Sequence, residues 1–376
     1  MNNKCAKNKD PCPHLLHCSG CDPNALIVPP PIWQEVSSYF EKNNCSISLI
    51  SQELSAWRLR AKLAVRQERR ELKIGLFQRN THHIVDIPDC RAHHPLINSA
   101  LVQIKQEMNL LGVLGYEEKK RKGDVRYLQL TVERSSQKVQ LVLVANASSL
   151  ENKMELLAHK LFEKNSLWHS IWVNLQPLAT NTIFGEKWHH LLGPVFLYEE
   201  VGKETIAFHP AAFFQAHFSL FEKIVESIQK NMKKTHAIVE FYAGVGVIGK
   251  CVKNKATHLF LVEENPFAKT SFLAALKKEE EHLFTYCSCD VDQQVFLCSQ
   301  AEAIIVDPPR QGISPSLMKA IGQKKEGQLI YLSCSFSSLK KDIEQLMLQG
   351  WCLERAEGYL LFPGANHVEI LVFLKK

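Results

Sequence analysis

The sequence predicts two domains: an α/β half over 201–376 with a parallel sheet covered on both faces, preceded over 1–200 by a smaller-stranded α+β half. Unbroken apolar runs (AIVEF, HLFLV, EAIIV, GQLIYLS, VEILVFL) recur with room for a helix between them, the mark of strands buried on both faces. A glycine turn after the first run opens a helix, as strand-to-helix units require. Upstream, LQLTVE, KVQLVLV and SIWVNL read as short strands, with helices expected around 96–110 and 150–164.

With 376 residues, 45% of them hydrophobic and 22% charged, the chain buries a full core, which excludes disorder as its main character. Its apolar runs fall far short of the roughly 20 residues that span a bilayer. The opening MNNKCAKNKD carries no signal-peptide core, so a soluble cytoplasmic protein without a membrane partner is expected. Twelve cysteines without a secretion signal are not a disulfide framework; clustered ones point to metal ligation or catalysis.

Such a cluster stands first along the chain. Cys12, Cys18 and Cys21 form C-x5-C-x2-C, and Cys90 in IPDCRAHHP offers a fourth thiolate. Spacing alone suits an iron–sulfur cluster and a structural zinc equally. Either would fasten an N-terminal arm onto the first domain, in a structural role facing RNA. VPPPIW at 28–33 marks a rigid turn out of this cluster.

Lysine plus arginine (45) exceeds aspartate plus glutamate (39) only mildly, so distribution matters more than total. WRLRAKLAVRQERRELK (57–73) holds seven Lys/Arg against two Glu, and KKRKGDVRY (119–127) five against one Asp. Phosphate neutralisation is the natural use of both, solvated strand edges being the alternative.

In the second half Gly244, Gly246 and Gly249 form GxGxxG, where bare backbone approaches a ligand closely. The pattern fits a dinucleotide pyrophosphate, S-adenosylmethionine or a plain tight turn. Glu263 closes the next strand and suits a ribose, as acidic residues there do in Rossmann-like sites. Asp307-Pro308-Pro309-Arg310 follows the strand AIIV; its paired prolines lack N–H donors and stiffen a loop bordered by a carboxylate and a guanidinium. Methylases acting on nucleobases use such a loop.

Cys334 ends the strand LIYLSC on the same sheet edge and is the reactive-thiol candidate, a small apolar core residue being the plainer alternative. Glu369 interrupts a buried apolar strand, where a carboxylate needs a task or a partner. His367, two residues before it, is that partner or an RNA contact.

These residues resemble the S-adenosylmethionine-dependent RNA uracil-5 methyltransferases, in the iron–sulfur branch acting on large-subunit ribosomal RNA. The likeness runs from Cys12 to the C-terminus through PCPHLLHCSGC, WRLRAKL, KIGLF, HPLIN, FHPAAFFQAH, FYAGVGVIG, VDPPRQG, YLSCS and HVEILVFL. It implies a class I methyltransferase domain after an iron–sulfur and RNA-binding domain, without the β-barrel domain that some members carry ahead of the cluster. It further implies a 4Fe-4S cluster on Cys12, Cys18, Cys21 and Cys90. Gln215, Tyr242, Gly244, Glu263 and Asp307 would line the cofactor site, Cys334 would be the nucleophile and Glu369 the base. The expected reaction adds Cys334 to carbon 6 of a flipped uridine, methylates carbon 5, and then removes its proton. Arg310 would steady the base or its phosphate, and the protein would act as a monomer on 23S ribosomal RNA.

The chain departs from the family pattern at Ser335-Phe336, where Asn-Pro is usual, and at His217, Glu240, Ala243 and the helix AKTSFLAALKKEEE. Those departures motivate a rival reading as a weakened RNA-binding paralogue; a transfer-RNA methyltransferase and an NAD-dependent oxidoreductase are the others.

Overall fold

The computed structural model describes residues 12–69 and 71–376. The expectation for the first ten residues lies outside the described residues. Internal contacts divide the chain into two units. One comprises the described residues up to Leu26 with Glu53–Glu199 and Phe214–Ala216; the other comprises Ile27–Gln52, Glu200–Phe213 and His217–Lys376. The boundary at Glu199/Glu200 lies beside the expected cut at 200, but Ile27–Gln52 and Phe214–Ala216 cross it. Strand Ile47–Ile50 pairs in parallel with Cys352–Tyr359 and so joins the C-terminal sheet. Helix Ile32–Lys42 goes with it, because Val36, Tyr39 and Phe40 share one helical face and enter that unit's core. The proline run launches this helix: Pro31 caps it, with φ already near the helical value.

The first unit carries a seven-stranded sheet in the order Ile84–Asp86, Glu71–Phe77, Arg60–Glu68, Val125–Glu133, Lys138–Ala145, Trp168–Leu175, Lys187–Leu192. Only Lys138–Ala145 and Trp168–Leu175 pair in parallel, across helix Asn152–Lys164. That helix and Pro95–Leu110 start within two residues of the expected positions, and both bury apolar stripes.

The basic segment 57–73 lies across the interior of this sheet, not along a solvated edge. Arg66 is 5% exposed; its guanidinium donates to the carbonyls of Val65 (3.0 Å) and Arg126 (2.8 Å) and stands 5.0–5.4 Å from the rings of Phe77, Tyr116 and Tyr127. Arg126 is likewise buried, bonding the carbonyls of Gln176 and Leu178. Phosphate neutralisation is thus corrected for these two arginines, whose guanidinium groups are buried against backbone carbonyls and aromatic faces. Lys119, Lys120, Arg121 and Lys122 lie exposed in a turn.

The second unit has an eight-stranded sheet in the order Ile47–Ile50, Cys352–Tyr359, Glu369–Lys375, Gln328–Ser333, Ala303–Val306, Ala237–Phe241, His258–Val262, Phe284–Cys287. Chain order reverses on either side of Ala237–Phe241, which pairs in parallel with both neighbours. A crevice at such a switch point is where open α/β sheets bind ligands. The all-parallel expectation fails at Glu369–Lys375, which runs antiparallel to both of its partners. The connection 360–368 is too short for a crossover helix, so the chain returns as a hairpin. This reversal brings the start of that strand, with Glu369, to the carboxyl edge of the parallel strands. Among the described residues, no helix is long and apolar enough to cross a membrane.

Candidate active site

The glycine turn is built by close packing. Tyr242, Gly244 and Gly246 all take positive φ (60°, 52°, 75°), folding the chain sharply off strand Ala237–Phe241. A Cβ on Gly246 would stand 2.8 Å from Phe272, and one on Gly249 2.6 Å from Leu261 and from Glu240 Oε2. A Cβ on Gly244 would meet nothing within 4 Å, so this glycine opens onto free space where a ligand can lie against bare backbone. The helix it leads into, Val247–Cys251, is only five residues long. A helix this short has a weak dipole and suits a cationic or neutral ligand as well as an anion.

Glu263, at the end of His258–Val262, accepts from Gly244 N–H (3.0 Å) through one carboxylate oxygen and from Asn265 N–H (2.9 Å) through the other. Each oxygen keeps a lone pair for a hydroxyl donor, which a ribose presents in pairs. Tyr286, which sequence reasoning missed, donates its hydroxyl to the Gly244 carbonyl at 2.5 Å from the neighbouring strand. Nothing in the motif spacing marks it, since only the parallel register brings the two strand ends together. Tyr242 accepts from Ser314 N–H at 3.2 Å, tying the glycine turn to the loop after Asp307.

That loop is braced again from behind. Ser338 donates to the Arg310 carbonyl (2.6 Å), while Asp342 accepts from Ile313 N–H (3.0 Å) and the Tyr331 hydroxyl (2.7 Å). Ser338 and Asp342 lie on helix Phe336–Leu348, directly after Cys334. The prolines and this helix hold the Asp307 and Cys334 strand ends in fixed register.

Cys334 is half-buried, neither sealed in hydrocarbon nor freely exposed. Burial first, then the nearby charges of Glu369 and Asp307, push its thiol up to about 11, against an opposing pull from Arg310. Glu369 is 4% exposed; burial and then Asp307 push it up to about 8, again opposed by Arg310. Asp307 is pushed up to about 7 by burial alone. Cys334, Glu369, Asp307 and Arg310 thus form one electrostatic group at the carboxyl edge. His367 is not the ion-pair partner considered for Glu369: its Nε2 lies 2.6 Å from the Cys334 carbonyl, and burial lowers its pKa, so the neutral ring donates there.

Of the departures from the family pattern, Phe336 turns into the core, edge-on to Tyr39 at 5.6 Å, away from Cys334. Glu240, 2% exposed, accepts from Gly249 N–H at 2.8 Å and braces the glycine turn. Gln215 belongs to the Phe214–Ala216 segment of the first unit, whereas Tyr242, Gly244, Glu263 and Asp307 share the second.

The four cysteines are grouped in the first unit. Burial, then Cys90, Cys18 and Cys12, push Cys21 up to about 11, an effect that requires the sulfurs to be near one another. Cys18 Sγ accepts from Gly20 N–H at 3.3 Å, and His14 bonds Asp89 at 2.6 Å, linking the segments that carry Cys18 and Cys90. Among the described residues, however, no group of three or more His, Cys, Asp or Glu side chains is arranged to hold a metal ion.

Comparison with known proteins agrees with this geometry. The family model of tRNA (uracil-5-)-methyltransferases matches residues 267–376. An uncharacterised RNA methyltransferase of Protochlamydia amoebophila is 40% identical over 374 residues, covering 97% of each chain. One of Bacillus cereus is 29% identical, over 97% of this chain and 83% of its own. The solved Pyrococcus abyssi tRNA (uracil-54, C5)-methyltransferase, in complex with S-adenosyl-L-homocysteine, superposes with a TM-score of 0.74 at 21% identity, over 90% of this chain and 81% of its own. The strand order, the open glycine turn and that superposition define a class I methyltransferase fold. The chain belongs to the S-adenosylmethionine-dependent RNA (uracil-5-)-methyltransferase family.

Proposed function

We propose that this protein methylates carbon 5 of a uridine in 23S ribosomal RNA through a covalent adduct on Cys334. The observation that carries the proposal is the grouping of a half-buried thiol with two carboxylates and a guanidinium beside the open glycine turn. S-adenosylmethionine, the methyl-donor substrate, supplies an electrophilic methyl on a positively charged sulfur. Gly244 backbone, Glu263, Tyr242 and Asp307 would hold it, with Gln215 as a further contact carried over from the family likeness. An edge lined by carboxylates favours a sulfonium as strongly as it disfavours a phosphate.

Carbon 5 of uracil is a weak nucleophile until a thiolate adds at carbon 6. Cys334 forms that bond, and the electron pair released onto the ring attacks the methyl group, whose bond to the sulfonium sulfur breaks so that carbon 5 is methylated and S-adenosylhomocysteine leaves. Glu369 then removes the carbon 5 proton, the carbon 6–sulfur bond breaks, and the thiolate is regenerated. In the free protein the Cys334 thiol is held neutral, so a cationic donor beside it and Arg310 favour its ionisation once substrates are bound. Glu369, held near 8, is a stronger base than an exposed carboxylate and is matched to neutral pH. The target base must leave its stack to reach this edge, as enzymes acting on base atoms require.

RNA carrying 5-fluorouridine tests the route, because its carbon 5 fluorine cannot leave as a proton. Wild-type protein is expected to accumulate a bond between Cys334 and RNA; active protein that forms no such adduct overturns it. Nucleoside mass spectrometry of ribosomal and transfer RNA from cells lacking the gene identifies the substrate. The ribosomal choice rests on likeness to the iron–sulfur branch. Transfer RNA is the second reading, favoured by the name of the matching family model. A cytoplasmic location is part of this reading, since either RNA is met there.

Cys12, Cys18, Cys21 and Cys90 would hold a 4Fe-4S cluster as a structural clamp with no redox step. Backbone N–H donors at Cys18 (from Gly20) and Cys90 (from Ala92 and His93) support thiolate ligation. Anaerobically purified protein is expected to carry iron and acid-labile sulfide in equal amounts; zinc in their place would correct the assignment.

A further inference from the structure

The methyl-transfer site occupies the carboxyl edge of the sheet in the second unit. At the opposite, amino edge lies a cleft of about 670 Å³ that this chemistry does not use. Three lysine pairs from three separate segments converge on it: Lys233-Lys234, Lys324-Lys325 and Lys375-Lys376. Three glutamates, Glu302, Glu326 and Glu354, share the lining. Glu302 is already engaged, accepting from Thr235 Oγ1 (2.6 Å) and Ala237 N–H (2.8 Å).

The segments are tied to one another before any ligand arrives. Gly327 and Lys376 exchange backbone hydrogen bonds (3.0 and 3.1 Å), and Lys233 N–H donates to the Gln328 side chain at 3.2 Å. Lys324 caps the carbonyls of Cys298 and Ala301, and Lys376 that of Gly322, so these two ammonium groups serve the cleft walls. Lys233, Lys234, Lys325 and Lys375 are exposed. Six lysines against three glutamates leave this lining net positive, and the cross-tied backbone leaves little loop ordering to do on binding.

We propose that this amino-edge cleft is a second RNA contact that grips the phosphate backbone of the substrate away from the methylated base. The five-residue strand Ala237–Phe241 separates it from the glycine turn by about 17 Å at roughly 3.3 Å per residue, within reach of another arm of one folded RNA. Clustered lysines read charge, not sequence, so the contact supplies affinity and leaves base choice to the other edge.

The inference rests on an RNA substrate but not on the Cys334 chemistry. The test is retention of bulk 23S ribosomal RNA, and separately bulk transfer RNA, by the full-length protein across a salt series, with no methyl transfer required. Changing Lys233, Lys234, Lys325 and Lys375 together to Gln is expected to weaken binding about tenfold or more near physiological salt and to flatten the log–log salt slope by about 2–4. S-adenosylmethionine affinity, read on the same variant, is expected to stay at the wild-type value and reports that the fold is intact. Glu354→Lys, which adds a cation to the lining, is expected to steepen the slope by about 1. Unchanged slopes in both variants overturn the proposal. So does a variant that loses binding of inorganic tripolyphosphate while retaining RNA as before, which would make the cleft a small-polyanion site. Cys334→Ala protein is expected to keep the wild-type slope, so failure of the thiolate route and failure of this contact are separately visible.

Discussion

The two edges of one sheet carry opposite electrostatic characters. At the carboxyl edge Glu240, Asp307 and Glu369 are held at about 8, 7 and 8, chiefly because burial makes their charged forms costly. At the amino edge, four exposed lysines stand on loops fixed to one another. Carboxyls held so high ionise more readily when a sulfonium docks beside them and less readily beside a phosphate, whereas exposed ammonium groups are charged at neutral pH and favour the phosphate. A protein that must offer a methyl cation to a base embedded in a polyanion therefore gains by separating grip from chemistry. The comparison breaks if either edge proves indifferent to its charge.

The sharpest break would come at Cys334. Cys334→Ala is expected to lower methyl transfer by at least about 10³-fold, because Cys334 is the thiol grouped with Glu369, Asp307 and Arg310, whereas Cys287 and Cys289 stand at the end of the outermost strand Phe284–Cys287. Its affinity for S-adenosylmethionine should stay near wild type, as measured by calorimetry. Transfer persisting in the variant would place the nucleophile elsewhere. Glu369→Gln should stall one step later, with methylated RNA remaining attached to Cys334 and multiple turnover reduced about 10²–10⁴-fold. Denaturing electrophoresis would show the retained adduct. A variant that releases product normally would remove Glu369 from the base role.

A smaller effect follows from pH. Glu369 must be ionised to act as a base, and it titrates near 8. With saturating RNA, kcat is expected to rise with pH through an inflection near 8 that belongs to Glu369, any rise at higher pH belonging to the Cys334 thiol. Glu369→Asp should keep such a lower inflection at reduced rate, whereas Glu369→Gln should lose it. A wild-type profile flat from pH 6 to 9 would mean that substrate binding ionises the carboxyl well below its value in the free protein.

Much of the carboxyl edge was legible in sequence because its residues sit at strand ends, where apolar runs stop and a glycine, proline or polar group follows. GVGVIG, DPPR and LSC each announce such an end. What remained hidden depended on pairing between distant strands. Tyr286 reaches the Gly244 carbonyl only through the register of two parallel strands, and Glu369 reaches this edge only because its strand runs backwards. Composition also misled: Arg66 and Arg126 lie in basic stretches, yet their guanidinium groups are buried among carbonyls and tyrosine rings. The amino-edge cleft is the converse case. Each lysine pair looks like an ordinary solvated turn in sequence, and only the sheet gathers three of them.

The smallest expected effect concerns Glu240, the buried carboxyl under the glycine turn. Its folded-state pKa of about 8 lies above the value near 4.5 of an unfolded glutamate. Between those values the folded protein binds more protons than the unfolded one, so this group's contribution to stability falls as pH rises from about 4.5 to 8. Glu240→Gln removes the titration while keeping an oxygen that can accept from Gly249 N–H. At pH 5, where Glu240 is neutral in the fold, variant and wild type should melt within a degree or two of each other. At pH 8 the variant should melt a few degrees higher, since about 1 kcal/mol moves Tm by roughly 2–4 °C in a domain of this size. A gap between the two proteins that does not change from pH 5 to pH 8 would mean that Glu240 carries its charge inside the fold. The turn would then hold a standing anion beneath the methyl-donor site, and the edge would attract a sulfonium through that charge even while Asp307 and Glu369 are protonated.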